Sequence, residues 1–169
     1  NPKRVYGNRS KSPSTRMGNF AGYRKAWIDA QAYQKKWQRF DKALGEYELW
    51  RTSSESQTDY KEPPSPPKRN LQMETLVGVL KGEILVHNHC YRADEMAQII
   101  DLSREFGYQV TAFHHAVEAY KIGDLLAANN ICSAMWADWW QFKLESFDGI
   151  KENVAMVEAA GACAIVHSD

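Results

Sequence analysis

Five histidines and the final aspartate are the side chains of this chain whose types and spacing best suit chemistry. They lie at the ends of three apolar, strand-like segments. The residues are His87 and His89, His114 and His115, and His167 with Asp169. Neutral imidazole and carboxylate are ligands that zinc and similar divalent ions take in proteins, so the set predicts a metal site. One histidine at a strand end is ordinarily structural, and the prediction depends on the joint placement.

Alternation along a strand decides which of these side chains share a face. Residues two apart, such as His87 and His89, point the same way in an extended backbone. Of the adjacent His114 and His115, the same alternation predicts that only one faces inward.

The elements that must position these residues alternate regularly. Strand-like runs are predicted at 84–89, 109–115, 131–135 and 162–167, and amphipathic helices at 93–106, 117–129 and 148–160. Such alternation is typical of βαβ units with a parallel sheet. Because the crossovers are right-handed, all the strands end at the same edge. The histidines are therefore expected to converge there.

The residues before this pattern predict a different organisation. Residues 1–16 indicate a loop, and a long helix follows over about 16–50. Its apolar residues recur at spacings of three and four and predict a packing face: Trp27, Ala30, Tyr33, Trp37, Phe40, Leu44 and Tyr47. Residues 52–70 are rich in Pro and Ser and indicate a linker or exposed excursion, followed by a short helix at 71–80. We therefore divide the chain into residues 1–70 and 71–169.

Size and charge limit the function classes. A chain of 169 residues can bury a substantial core but is short of the roughly 250 residues of a complete eight-stranded α/β barrel. It begins without Met and stops after a strand-like run, so we expect a fragment. Residues 1–70 carry 15 Lys and Arg against 7 Asp and Glu, but these are spread through an aromatic helix, and nucleic-acid binding is not expected. No apolar run suggests a membrane span.

The three cysteines, Cys90, Cys132 and Cys163, lie in or just after strand-like runs without CxxC spacing. They are predicted to be buried, reduced thiols. The odd number favours a reducing compartment, but a preceding segment could carry a signal peptide, so the localisation stays open.

A tryptophan-rich segment follows the third strand, where a loop covering the site would lie. Trp136, Trp139 and Trp140 either pack on a rim or wall an apolar pocket. In the second case Lys143 or Arg92 would bind a substrate carboxylate.

Three segments carry a resemblance to a known family, in the same order and with similar separations. They are residues 86–94 (VHNHCYRAD), 113–120 (FHHAVEAY) and 164–169 (AIVHSD), and residues 1–4 with 13–18 add to them. The chain resembles the metal-dependent amidohydrolase superfamily, in particular the imidazolonepropionase-like amidohydrolases.

The resemblance implies a partial (β/α)8 TIM-type barrel, strands five to eight with their helices, preceded by the long amphipathic helix. It implies that His89 and His115 bind metal from strands five and six, with His87 as the competing ligand. Asp169 on strand eight would bind metal and carry the proton. The His87–His89 pair looks like the strand-one ligands of the family, but the helix that follows argues against that assignment. The strand-one pair would belong to a missing N-terminal half.

The implied function is hydrolysis of carbon–nitrogen bonds, in which water activated by a divalent metal, most simply Zn²⁺, attacks a carbonyl. Substrates would be small amides, cyclic amides or peptide-like compounds, contacted by Arg92, Tyr120, Lys143 and His167. The isolated fragment is expected to be inactive, and a homo-oligomer is compatible with the sequence. Two alternatives are a non-catalytic, barrel-like interaction module with structural histidines, and a metal-dependent phosphoesterase.

Overall fold

The structure is a computed structural model that describes residues 13, 15–53, 60–141 and 143–168. Most of the loop predicted for residues 1–16, part of the predicted linker, and Asp169 lie outside the described residues. The helices are α1 (Arg16–Arg51), α2 (Leu71–Leu80), α3 (Ala93–Phe106), α4 (Gly123–Ala128) and α5 (Asn153–Ala159). The strands are β1 (Val86–Cys90), β2 (Val110–His115), β3 (Cys132–Met135) and β4 (Ala164–Val166).

The four strands form one parallel sheet in the order β1-β2-β3-β4. The predicted α/β class, with a long helix before a parallel sheet, is confirmed. The prediction began the first strand too early, because Ile84 and Leu85 precede β1 and are exposed. Parallel pairing brings the ends of β1, β2 and β3 to one edge, and it aligns His89 with His114 and Cys90 with His115.

The helices between the strands match their predicted bounds to differing degrees. Helix α3 has the predicted bounds, and Gly107 closes it with φ 74° in the left-handed region that favours glycine. The second predicted helix is instead a 3₁₀ turn over Ala119–Ile122 followed by α4, because Ile122 leaves helical geometry at φ −134° and ψ 27°. Helix α5 starts later than predicted, since residues 151–152 form a turn before it and Ile150 precedes that turn.

The core of the sheet region forms where α3 and the later helices cover one face of the sheet. Its largest fully buried side chains are Phe113, Met96, Ile99, Ile100, Leu102, Leu126, Ile131, Met135, Val110, Val157 and Cys90. Most of these are the β-branched and large apolar residues that a covered parallel sheet requires. Within the described parts of the chain, no helix is long and apolar enough to cross a membrane.

The described residues fall into two compact units. The first combines the described residues up to Arg24 with those from Val79 onward, and the second is Lys25–Gly78. In the first unit, Thr15 caps α1 because its Oγ1 accepts a hydrogen bond of 3.0 Å from the N–H of Gly18. Arg24 makes a bidentate pair with Glu105 at the end of α3, with nitrogen–oxygen distances of 3.0 and 2.8 Å. The boundary at residue 70 stays a prediction.

The second unit contains most of α1, the segment after it and α2. The predicted apolar stripe of α1 is its less exposed side, with Trp27 and Ala30 buried. Asn70 caps α2, since its Oδ1 accepts hydrogen bonds from the N–H groups of Gln72 and Met73. The carboxylate of Glu74 in the first turn of α2 is bound by Arg69 at 2.6 Å and by the Tyr33 hydroxyl at 3.1 Å.

These contacts predict how Glu74 titrates. The hydrogen bonds from Arg69, with a smaller contribution from Tyr33, hold the pKa of Glu74 at about 2, against an ordinary 4.5. Because the folded pKa is the lower one, its stabilising contribution is present above about 4.5 and is lost as the pH falls toward about 2. We expect an NMR titration of the carboxyl carbon to give this value. Arg69→Gln should raise it, the neighbouring Lys68→Gln should not, and titration near 4.5 in the unchanged chain would contradict the assignment.

Candidate histidine site at the strand ends

All five histidines lie together at the ends of β1 and β2 and just after β4. The ring centroids of His89 and His115 are 4.2 Å apart, and those of His115 and His167 are 5.0 Å apart. His87 Nδ1 is 2.9 Å from His114 Nε2, so a hydrogen bond joins these two rings. We call the five residues the histidine cluster. The convergence expected from parallel strands is therefore present in the described structure.

The backbone at the end of β2 explains why two adjacent histidines join the same cluster. His115 has φ 70° and Ala116 has φ 27°, so the strand ends in a left-handed turn that non-glycine residues seldom adopt. The turn breaks the alternation of side chains, and the rings of His114 and His115 both lie near His167, at 5.6 and 5.0 Å. The prediction that only one of the pair faces inward was wrong for this reason.

His167 links the end of β4 to the end of β2. Its Nε2 accepts a hydrogen bond of 3.2 Å from the backbone N–H of His115, and its Nδ1 lies 3.0 Å from the carbonyl oxygen of Ser168. A carbonyl oxygen only accepts, so Nδ1 carries the proton and Nε2 provides the lone pair. The neighbouring backbone therefore fixes one tautomer of His167.

Two buried polar side chains, which the sequence analysis did not single out, hold the loops that carry the cluster. Asn153, at the start of α5, donates from Nδ2 to the carbonyl of Ala116 at 3.0 Å and accepts at Oδ1 from the N–H of Tyr120 at 2.9 Å. Glu118 accepts at Oε2 from the N–H of Ala93, the first residue of α3, at 2.9 Å. Their burial depends on tertiary packing, so spacing alone does not reveal them.

Aromatic side chains surround His115. Tyr91 and Trp136 are buried, and their ring centroids lie 5.4 and 4.8 Å from that of His115. Trp139 stacks on Trp136 at 4.6 Å. The ammonium group of Lys143 lies over the Tyr91 ring, 4.4 Å from its centroid, and donates a hydrogen bond to the Tyr91 hydroxyl. Lys143 is thus one aromatic ring away from the histidine cluster.

The remaining predicted site residues are engaged elsewhere or are not described. Arg92 Nε is 2.9 Å from Asp94 Oδ1, and this hydrogen bond is the main reason that the pKa of Arg92 is raised. The Tyr120 hydroxyl donates to the carbonyl of Asp148 at 3.0 Å. Asp169, predicted to bind metal and carry the proton, lies outside the described residues.

The electrostatics of the cluster favour neutral imidazole at His114. Burial, and then the neighbouring His87 and His167, lower the pKa of His114 below its usual value. Neutral imidazole is the form that binds metals. Among the residues that the structure describes, no three His, Cys, Asp or Glu side chains are arranged as a metal-binding group.

The cysteines differ from their prediction. Cys90 is a buried free thiol, as expected, but Cys132 and Cys163 form a disulfide. Pairing of Ser133 with Ala164 between β3 and β4 sets the two preceding residues side by side. The prediction of three reduced thiols was wrong because strand register, which the spacing of 31 residues does not reveal, brings these two together.

The fold and the site define an α/β protein with a parallel sheet whose strand ends carry a cluster of histidines. No protein-family model matches the chain. It is 28% identical over 173 aligned positions to the amidohydrolase tasK of Hapsidospora irregularis, a match that covers all of this chain and 16% of the relative. The crystal structure of an amidohydrolase from Thermotoga maritima MSB8 matches with a TM-score of 0.71 and 28% identity, over 95% of this chain and 37% of that one.

These two matches confirm the predicted resemblance to the amidohydrolase superfamily. The chain spans about one sixth of the length of tasK and somewhat over a third of the Thermotoga protein. Any activity inferred from this resemblance therefore belongs to the longer relatives, of which the chain matches only a part.

Proposed function

We propose that this chain contributes part of the active site of a metal-dependent hydrolase that cleaves carbon–nitrogen bonds in small amides, cyclic amides or peptide-like compounds. One observation carries the proposal. Histidines from separate strands of a parallel sheet meet at the strand ends, where α/β folds place their sites, in a chain that resembles amidohydrolases.

The architecture that we propose is a (β/α)8 barrel to which β1 to β4 contribute strands five to eight. The parallel order of the four strands, with helices between them, supports this assignment. So does the match to 37% of the Thermotoga amidohydrolase. Residues 71–169 would form the barrel segment, residues 1–70 would precede it, and further ligands would come from strands outside this chain.

The chemistry of the donor set supports a divalent metal as the bound ion. His89 and His115 come from neighbouring strands, and their rings are in contact. We propose them as two ligands and Asp169 as a third, because imidazole and carboxylate suit Zn²⁺. His87 is the weaker candidate on strand β1, since its Nδ1 is hydrogen-bonded to His114.

The proposed chemistry assigns each group one task. A divalent ion held there would lower the pKa of the attacking water and polarise the substrate carbonyl. Asp169 accepts the proton from the attacking water and then passes it to the leaving nitrogen, acting as general base and then general acid. His167 orients His115, because it accepts the hydrogen bond from the His115 N–H. Tyr91 and Trp136 limit the access of water to His115.

Among the residues that the sequence indicated for substrate recognition, we propose Lys143 first. Lys143 is the best placed cation, because it contacts Tyr91 beside the cluster and can pair with a substrate carboxylate. Arg92 and Tyr120 remain candidates. Their present contacts with Asp94 and with the carbonyl of Asp148 must open before they bind substrate.

The test of this proposal is metal binding by the 169-residue chain, followed by amide hydrolysis in the longer polypeptide that contains it. Zinc titration should give weaker binding, by about tenfold or more, for His89→Ala, His115→Ala and Asp169→Asn. Asp101→Asn, at an exposed carboxylate of α3, is the matched control. In the longer polypeptide Asp169→Asn should abolish most amide turnover.

Two outcomes would contradict the proposal. Zinc affinity that is unchanged by both histidine substitutions would remove the metal site. Wild-type amide turnover by Asp169→Asn would remove that residue from proton transfer.

A further inference from the structure

A proline-rich segment between α1 and α2 has no task in the proposed function. Residues 60–70 form neither helix nor strand, and they contain the sequence Pro63-Pro64-Ser65-Pro66-Pro67. Each proline fixes its own φ near about −65° and holds the residue before it in the extended or polyproline II region. Residues 62–67 each carry at least one of these two restrictions, which favours a polyproline II helix over this range.

The exposure of the side chains follows the period of such a helix, which has three residues per turn. Pro64 and Pro67 are half-buried, whereas Pro63 and Pro66 are exposed. The other residues on the two open sides are exposed as well: Glu62, Ser65, Lys68 and Arg69. The segment therefore has one partly covered side and presents the other two to solvent.

Contacts within its own compact unit hold the end of the segment. The N–H of Asn70 donates to the hydroxyl of Tyr33 in α1 at 3.2 Å. The guanidinium of Arg69 donates to both carboxylate oxygens of Glu74 in α2, at 2.9 and 2.6 Å. A recognition segment that is already extended and anchored loses little conformational entropy when a partner binds it.

The cations beside the prolines differ in their availability to a partner. Arg69 is already bound by Glu74. Lys61 falls on the same side of the three-residue repeat as the half-buried Pro64. Lys68 is exposed and falls on an open side, two residues beyond Pro66. The accessible pattern is therefore two prolines three residues apart, followed by one cation.

We infer that residues 62–68 are a docking segment for an SH3-type domain, which binds polyproline II helices in a groove lined by aromatic side chains. Pro63 and Pro66 pack between the aromatic rings of the groove. The ammonium group of Lys68 pairs with acidic side chains at the end of the groove, and this pair sets the direction in which the segment lies. Pro64 and Pro67 face away from the partner.

The probes are purified SH3 domains that carry acidic residues beside the aromatic groove, with purified WW domains for comparison. Calorimetric titration of the 169-residue chain should give saturable binding to at least one SH3 domain, with a Kd of about 100 µM or tighter. Backbone amide shifts of the chain should change most at Ser65 and Lys68. Added salt should weaken the binding, because an exposed charge pair is screened.

Two matched double variants test which side of the segment is recognised. Replacement of both Pro63 and Pro66 by Ala should weaken binding by about tenfold or more, since the groove loses both prolines that it contacts. Replacement of both Pro64 and Pro67 by Ala removes as many prolines from the covered side and should cost no more than about threefold. The contacts of Arg69 and Asn70 remain in both variants, so both are expected to fold.

The cation is tested by a second matched pair. Lys68→Gln should weaken binding by about threefold or more, because the charge pair is lost. Lys61→Gln, at an exposed lysine on the other side of the prolines, should change it by less than about twofold.

The inference fails if no SH3 domain binds, if only WW domains bind, or if the two double proline variants lose affinity equally. Unchanged affinity in Lys68→Gln would overturn the assignment of an acidic SH3 groove. The titration needs neither metal nor amide substrate, so its failure is distinguishable from a failure of the hydrolase proposal.

Discussion

Asn153→Ala is expected to lower the free energy of unfolding by about 3 kcal/mol, because two buried groups lose their hydrogen-bond partner and each costs about 1–3 kcal/mol. The groups are the carbonyl of Ala116 and the N–H of Tyr120. Asn153 is 2% exposed, and water cannot readily replace its amide. Ala116 also lies in the left-handed turn at the end of β2, so the loss falls where the backbone is already strained.

The effect on His115 distinguishes a positioning role from a general structural one. The imidazole nitrogen shifts of His115, measured by NMR on folded protein, should change in Asn153→Ala. Asn153→Asp should be nearly as harmful, because it keeps the acceptor for Tyr120 but sets a carboxylate oxygen against the Ala116 carbonyl. Asn129→Ala is the control, since Asn129 also makes two side-chain hydrogen bonds, to Arg104 and Leu125, outside the cluster.

A cost below about 1 kcal/mol, the usual net value of one hydrogen bond, would contradict this role for Asn153. So would His115 shifts that change no more than they do in Asn129→Ala.

Periodicity predicted helices α1 and α3 well because the apolar residues that each helix buries recur at regular spacing. The apolar stripe of α1 and the repeat of α3 each follow from spacing within one segment, and both helices have nearly the predicted bounds. The strand ends converge for a general reason, the common direction of parallel strands. That reason is sufficient to predict that the histidines meet.

The details of the site depend on interactions that spacing does not encode. The turn at His115 departs from strand alternation because Asn153, 38 positions later, holds it by packing and hydrogen bonding. From spacing alone, Glu118 is predicted to be an ordinary helix residue. Its role follows from the tertiary fold, which brings the N–H at the start of α3 within hydrogen-bonding distance of its carboxylate. The pairing of Cys132 and Cys163 likewise requires the register of β3 and β4.

Reduction of the Cys132–Cys163 disulfide is expected to lower the free energy of unfolding by about 3–4 kcal/mol, the chain-entropy value for cysteines 31 residues apart. The effect should be concentrated in β4. This strand has three residues and, among the described strands, pairs only with β3. Loosening it also affects His167, whose N–H donates to the carbonyl of Met135 at 3.0 Å.

The disulfide can be tested by thiol counting, denaturation and hydrogen exchange. Unreduced protein in denaturant should contain one reactive thiol, that of Cys90. Addition of dithiothreitol should lower the unfolding midpoint and speed amide exchange in Ala164–Val166 more than in β2. The variant with both Cys132→Ser and Cys163→Ser should be as unstable as the reduced protein and should not respond to dithiothreitol. Three reactive thiols before reduction, or an equal response of that variant, would show that the two strands are not covalently joined, and β4 would then hold His167 beside His115 by backbone hydrogen bonds alone.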